Sequence, residues 1–229
     1  MELKNIIFII VFLATFGFFA YSVNNLIKYI KVAKKKDDRF DNIPTRLKNV
    51  WNIAFAQTKL LREPVAGTLH LLIFWGFVLF IFAVLETIIQ GFYSPFSLSA
   101  LGPVYSLITI VQDLFGLLVI ISILISLYRR FIQKVPRLDV ETHGKLDAAF
   151  ILLLILFIVV AMYGQNAAGF ANNGMAYHKY ELRPVSSFLS GILFAGQTST
   201  TNFLYEFFWW MHIILIFIFL NYLPYSKHL

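Results

Sequence analysis

Cysteine is absent from all 229 residues. That excludes disulfides, thiolate zinc sites and iron–sulfur clusters ligated from within this chain. Charge is scarce as well. Asp, Glu, Lys and Arg make up 14% of the residues, where a soluble domain carries about 25%. So few charges cannot cover a soluble domain of this length, which excludes an ordinary cytoplasmic enzyme. The 59% hydrophobic content excludes a disordered chain. There is no Gly-rich phosphate loop, no HExxH and no internal repeat.

Long apolar runs are what the chain has in their place. A spanning helix needs roughly 20 apolar residues. Five segments qualify, at about 6–30, 66–90, 104–128, 146–168 and 203–223. The first run is too long for the core of a signal peptide, and no small-residue cleavage site precedes the basic stretch after it. It reads as a retained span. Ten Lys and Arg lie between Lys28 and Pro64, five between Arg129 and Lys145, and Lys227 follows the last span. Only Lys4, Lys179 and Arg183 fall on the other side. The positive-inside rule then places the N-terminus outside and the C-terminus in the cytoplasm. The fold class expected is an all-α integral membrane bundle of five transmembrane helices, one membrane domain over residues 1–229. The net charge of +7 is spent on orientation and gives no reason to expect nucleic acid.

Two further stretches are structured but do not span. Val50, Ile53, Ala54, Gln57, Leu60 and Leu61 recur near one helical face, which predicts a short interfacial helix over Arg46 to Glu63. The long loop from Asn166 to Asn202 has room for a short surface helix over Ser186 to Phe194. Trp209 and Trp210 suit an interfacial belt.

Ionisable groups inside spans are costly and mark function by default. Here they are His70 near the inner end of span two, Glu86 near its outer end, Asp113 within span three, and His212 in the outer half of span five. His228 follows that span's inner end. Spans two and five run in opposite directions, so His70 and His228 lie at one depth, the geometry of an inner bis-histidine haem b. The alternatives are a core His70 bonded to a carbonyl and a solvated His228. His212 lies about 24 Å along the helix from His228 and serves a different site. Its partner would sit around Val78 to Glu86, where there is no histidine; His178 would have to fold back from the loop. His212 can instead bond a quinone. His143 reads as a loop residue. Gln112 and Asp113 are read equally as interhelical glue and as a quinone or proton site, with Glu86 as a second possible proton acceptor.

Four stretches carry a resemblance: GTLHLLIFWGF (Gly67 to Phe77), DLFGLLV (Asp113 to Val119) with YRRF (Tyr128 to Phe131), WMH (Trp210 to His212), and LPYSKHL (Leu223 to Leu229). Over roughly residues 45 to 229 the chain resembles the haem b gamma subunit of respiratory nitrate reductases. It more closely resembles the N-terminal membrane domain of heterodisulfide-reductase-like iron–sulfur oxidoreductases. The resemblance implies a quinol-oxidising or quinone-reducing membrane part, with one or two haems b, in a prokaryotic cytoplasmic membrane. It implies menaquinone or ubiquinone as substrate and a cytoplasmic iron–sulfur protein or fused C-terminal domain as partner. His70 matches the family's inner haem ligand of span two and His212 the outer ligand of span five. Phe80 stands where the outer ligand of span two is expected, and the inner ligand of span five aligns just past Leu229. His228 is therefore a neighbour of the family position. The ending at Lys-His-Leu suggests the N-terminal part of a longer protein that carries the missing cysteines. With an inner haem alone, an outer quinol would face a ~30 Å core, which favours a quinone site nearer the inner half. A cofactor-free membrane anchor is the alternative function. A small transporter is disfavoured because inverted repeats and broken spans are missing.

Overall fold

Prolines mark where four helices begin. Pro44, Pro64, Pro103 and Pro184 each sit in a first helical turn, where the missing N–H costs nothing and the fixed φ suits the helix. The computed structural model describes residues 2–32, 41–138, 142–173, 180–194 and 199–226. His178 and His228 lie outside them. The elements are α1 (Leu3–Val32), α2 (Ile43–Val50), α3 (Pro64–Phe92), α4 (Pro103–Phe131), α5 (Thr142–Asn173), α6 (Pro184–Leu193) and α7 (Ser199–Tyr222). Five of them, α1, α3, α4, α5 and α7, are long and apolar enough to cross a membrane. The protein is an all-helical membrane bundle, as the hydropathy of the sequence requires, because only internally bonded backbone survives in hydrocarbon.

The helices pack as two close pairs, α3 with α4 and α5 with α7, and α4 touches α5 between them. Small residues allow the approach. The Phe208 ring lies against Gly164 of α5, and Val119 of α4 sits over Gly76 of α3. Val119, Ile123, Val159, Met162 and Tyr163 form the centre of the core. Leu114, Leu124 and Phe157 point outward and are half exposed, as lipid-facing side chains are. Helix α1 leans on the outside and is fastened near both ends. Asn5 donates to the Gly91 carbonyl at 2.9 Å, and Ser22 pairs with the Tyr225 hydroxyl at 2.9 Å. Helices α3 and α7 scarcely meet, so a gap runs between them.

One end of the bundle carries α6 and the other α2. Helix α6 lies over the region expected for a short surface helix, beginning at Pro184. The fourth span continues as helix to Asn173, beyond the expected 168. Its polar tail from Gln165 does not read as membrane, but Ala167, Ala168 and Phe170 are buried in that stretch, Ala167 and Ala168 packing with Phe194, and they hold it helical.

The single helix expected over Arg46 to Glu63 is a correction. Helix α2 widens into a π turn at Trp51–Phe55, stops at Gln57 with φ 49°, and resumes as one tighter 3₁₀ turn at Leu60–Arg62. Gln57 does not share the exposed apolar face of Val50 and Ile53. It is 1% exposed because its side chain turns inward.

Candidate functional site

The gap between α3 and α7 is a cavity of about 300 Å³, closed by α5, by Val119 of α4 and by Phe16 of α1. Its wall on α3 runs from Ile73 to Ile88, fifteen residue steps or about 22 Å at 1.5 Å per residue. Among the described residues lining it, His212 is the sole polar side chain. The slot is long, narrow and dry, and its volume lies at the small end of the range of about 300–1,000 Å³ for ligand sites.

His212 is 5% exposed. Its Nδ1 lies 2.9 Å from the Ile158 carbonyl oxygen. A carbonyl can only accept, so Nδ1 carries the proton and Nε2 of the neutral ring is a bare acceptor. The side chain also lines a second, polar space of about 40 Å³ on the α6 side, with Ala83 and Met162 common to both. That chamber has room for about one or two water molecules.

Glu86, Tyr105, Asn166, Glu181 and Arg183 surround the chamber. Glu86 is held by the Leu98 amide at 2.7 Å, by Ser97 Oγ at 3.1 Å and by the Tyr105 hydroxyl at 3.2 Å. Arg183 Nε bonds Glu181 Oε1 at 2.6 Å, the two side chains being 6% and 4% exposed. Burial alone would lower the Arg183 pKa. The Glu181 carboxylate, with Tyr105 and Asp113, outweighs it and lifts the guanidinium above its ordinary value, so it stays charged. Three buried atoms here have no hydrogen-bond partner: Glu181 Oε2, Arg183 Nη1 and Asn166 Nδ2.

One face of α4 places that ion pair. Ser106 Oγ donates to the Tyr180 carbonyl at 2.7 Å, and Thr109 Oγ1 accepts from the Leu182 amide at 3.0 Å. Asp113 accepts from the Val185 amide at 2.6 Å, the Ser186 amide at 3.3 Å and the Ser186 hydroxyl at 2.5 Å. Residues 106, 109 and 113 follow helical spacing, so they form a polar ladder along which segment 180–186 is laid. Asp113 meets the amides of the α6 N-terminus, where negative charge is favoured. Its neighbour Gln112 donates to the Leu79 carbonyl at 3.0 Å and ties α4 to α3. Of the residues expected to act together, Glu86 and His212 share the chamber, and Asp113 is set apart from it.

His70 lies at the α2 end. Its Nδ1 is 3.0 Å from Gln57 Oε1. An amide oxygen accepts, so Nδ1 again carries the proton. This is the arrangement by which an outer partner fixes the tautomer and direction of a metal-binding histidine. The loop bearing Gln57 lies so close over α3 that a Cβ at Gly67 would strike the Leu60 carbonyl group and come within 2.9 Å of Leu61 Cα. Because the obstacle is backbone, Gly67→Ala is expected to cost about 1–3 kcal/mol, read as a lower thermal midpoint in detergent. Gly17→Ala, with open space around it, is the control and is expected to lose nothing.

His70 and His212 do not meet. His70 lies thirteen residues before Ala83, which borders both the slot and the chamber with His212, so about 20 Å of helix separates the two levels. Among the described residues no group of three or more His, Asp or Glu gathers as a metal site. Sequence reasoning missed Glu181, Arg183, Tyr105 and Gln57. Beside the Gln112–Asp113 pair, the helical spacing of Ser106, Thr109 and Asp113 is the signal in the sequence that could have pointed to a polar partner along α4.

No family model matches the chain, and no solved structure matches it. It is 33% identical over 231 aligned positions to a probable iron-sulfur-binding oxidoreductase, FadF, of Bacillus subtilis (strain 168), covering 97% of this chain and 30% of that protein. It is 30% identical over 207 positions to an EtfAB:quinone oxidoreductase of Syntrophomonas wolfei subsp. wolfei, covering 86% of this chain and 28% of that one. The chain thus spans about three-tenths of the length of these curated relatives. Both relatives are oxidoreductases, which agrees with the heterodisulfide-reductase-like resemblance and supports a redox membrane module. The likeness to nitrate reductase gamma subunits rests on the quoted sequence stretches alone.

Proposed function

We propose that this chain is the membrane part of an oxidoreductase that exchanges electrons between a quinone pool and a cytoplasmic iron–sulfur unit, with the quinone ring lodged in the α3–α7 slot beside His212. The observation that carries this reading is one buried imidazole, its Nδ1 committed to the Ile158 carbonyl, standing between an apolar slot and a polar chamber. A quinone needs that combination: apolar walls for its ring and tail, and a polar group for its oxygen. His212 Nε2 accepts the quinol O–H and so orients the ring. The Phe, Ile and Leu walls exclude water, which strengthens that bond. The relative named as a quinone oxidoreductase supports the substrate class.

The donor set does not fit a bis-histidine haem in the slot, because among the described lining residues there is one imidazole, and Phe80 has no atom that can bind iron. The α2 end fits one axial position of a haem b. His70 would hold it with its ring fixed by Gln57, and His228 is the second ligand we propose. A haem b bound there supplies a one-electron carrier. The orientation is the one the Lys and Arg distribution favours, with the α2 end cytoplasmic.

A reduced-minus-oxidised spectrum with haemochrome quantitation, on the intact complex containing this chain, tests the reading together with quinone-analogue binding. About one haem b per chain is expected, lost in His70→Ala and kept in His212→Leu, with analogue binding weakened in His212→Leu. Neither haem nor analogue binding in a folded, haem-supplied preparation would leave a cofactor-free membrane anchor.

A further inference from the structure

The Glu181–Arg183 pair is a strange thing to bury for stability alone. Its two charges lie two residues apart in a connecting segment, and each leaves one atom unbonded toward a space that fits about one or two waters. A pair serving only as a tie would close on itself, since an unmet buried polar atom costs about 1–3 kcal/mol. The third unmet atom, Asn166 Nδ2, borders the same space. Two unmet donors and one unmet acceptor thus belong to residues that line it, and His212 lines both it and the slot.

We propose that Glu181, paired with Arg183 and reached through water in this chamber, exchanges the proton of a quinone oxygen bound at His212. The inference rests on the quinone reading above. The step is a proton transfer. The quinol O–H facing His212 breaks, its proton passes to Nε2, and Nε2 releases it to the chamber water, which passes one to Glu181 Oε2, while Nδ1–H stays on the Ile158 carbonyl. The quinol anion keeps both electrons and its other O–H, so this step is a proton transfer without oxidation. In quinone reduction the same groups return the proton. Arg183 Nη1 and Asn166 Nδ2 orient the water and do not themselves accept a proton. Leu182, between the two charged residues, is 50% exposed, so the carboxylate lies just beneath the surface of the α6 end.

The test uses the intact complex in proteoliposomes and compares the wild type with Glu181→Gln. Because Glu181→Gln strands a buried guanidinium, the double variant Glu181→Gln/Arg183→Met, which removes both charges, is measured beside it. Quinol turnover is expected to fall about 100-fold in both. Quinone-analogue affinity should stay within about threefold, the solvent isotope effect should rise, and small weak acids such as formate should restore part of the rate. A structural tie would not produce rescue by an added acid. Full turnover with an unchanged isotope effect in a folded variant overturns the proposal and leaves the quinone site standing. If the wild type fails to bind the analogue at all, the quinone reading itself falls, and this inference with it.

Discussion

Replacing His212 with leucine is expected to cut quinone turnover by at least about 100-fold, the usual worth of a positioned acid–base group, in a chain that still folds. Leucine fills most of the imidazole volume. The Ile158 carbonyl that loses its donor lies within α5 and keeps its helical partner. What disappears is the imidazole of His212, the sole polar side chain among the described residues lining the slot. The slot would then hold an apolar ring without orienting it, so kcat should fall much more than affinity for a long-tailed quinone, which weakens only modestly. His212→Gln keeps an acceptor but no basic nitrogen, and is expected to recover binding without recovering rate. Steady-state turnover with water-soluble quinol analogues, alongside the haem spectrum as a fold control, reads all three quantities. Unchanged turnover in His212→Leu would remove the quinone from this cavity.

The second large effect belongs to Asp113. Its carboxylate accepts three hydrogen bonds from the start of α6 and is fully buried. Bonds to an ionised group are worth about 1.5–3 kcal/mol each before non-additivity. Asp113→Ala is therefore expected to cost about 3 kcal/mol or more, and Asp113→Asn, which retains the shape and one acceptor, clearly less. Thermal unfolding in detergent gives the size. Limited proteolysis should show segment 180–194 cut first, because Asp113 closes the ladder that Ser106 and Thr109 begin. Activity should fall with it, since the same ladder carries Glu181 and Arg183 into the chamber. An unperturbed midpoint and cleavage pattern would mean that α6 is held by its packing on α5 alone.

These two residues also show how far the sequence could be read. Apolar length alone locates all five spans, because lipid forbids any other backbone arrangement for such runs. Within the spans, cost alone singles out Glu86, Asp113 and His212, since a buried ionisable group has few reasons to exist. The partner of each is not legible. Asp113 reads equally as glue or as a proton site, and its anchoring of α6, seventy residues on, is decided by tertiary contact. Glu181 and Arg183 lie in a loop, where charges ordinarily face water, so nothing in their surroundings marks them as buried. Gln57 fits a helical face by spacing, yet the chain turns there into the left-handed region and sends its side chain to His70. Hydropathy and periodicity report local preference, and each of these residues is placed by a neighbour distant in sequence.

The extent of the slot has an electrical consequence. Its wall on α3 runs about 22 Å, some three-quarters of the roughly 30 Å hydrocarbon thickness. A full crossing costs or yields about 2.3 kcal/mol per elementary charge for each 100 mV. An electron carried from one end of the slot to the other, with its proton left at the α6 end, therefore works against or with the membrane voltage by about 1.7 kcal/mol per 100 mV. On the proposed quinone reading, turnover therefore moves charge across most of the bilayer, and a voltage that speeds it at one polarity is expected to slow it at the other.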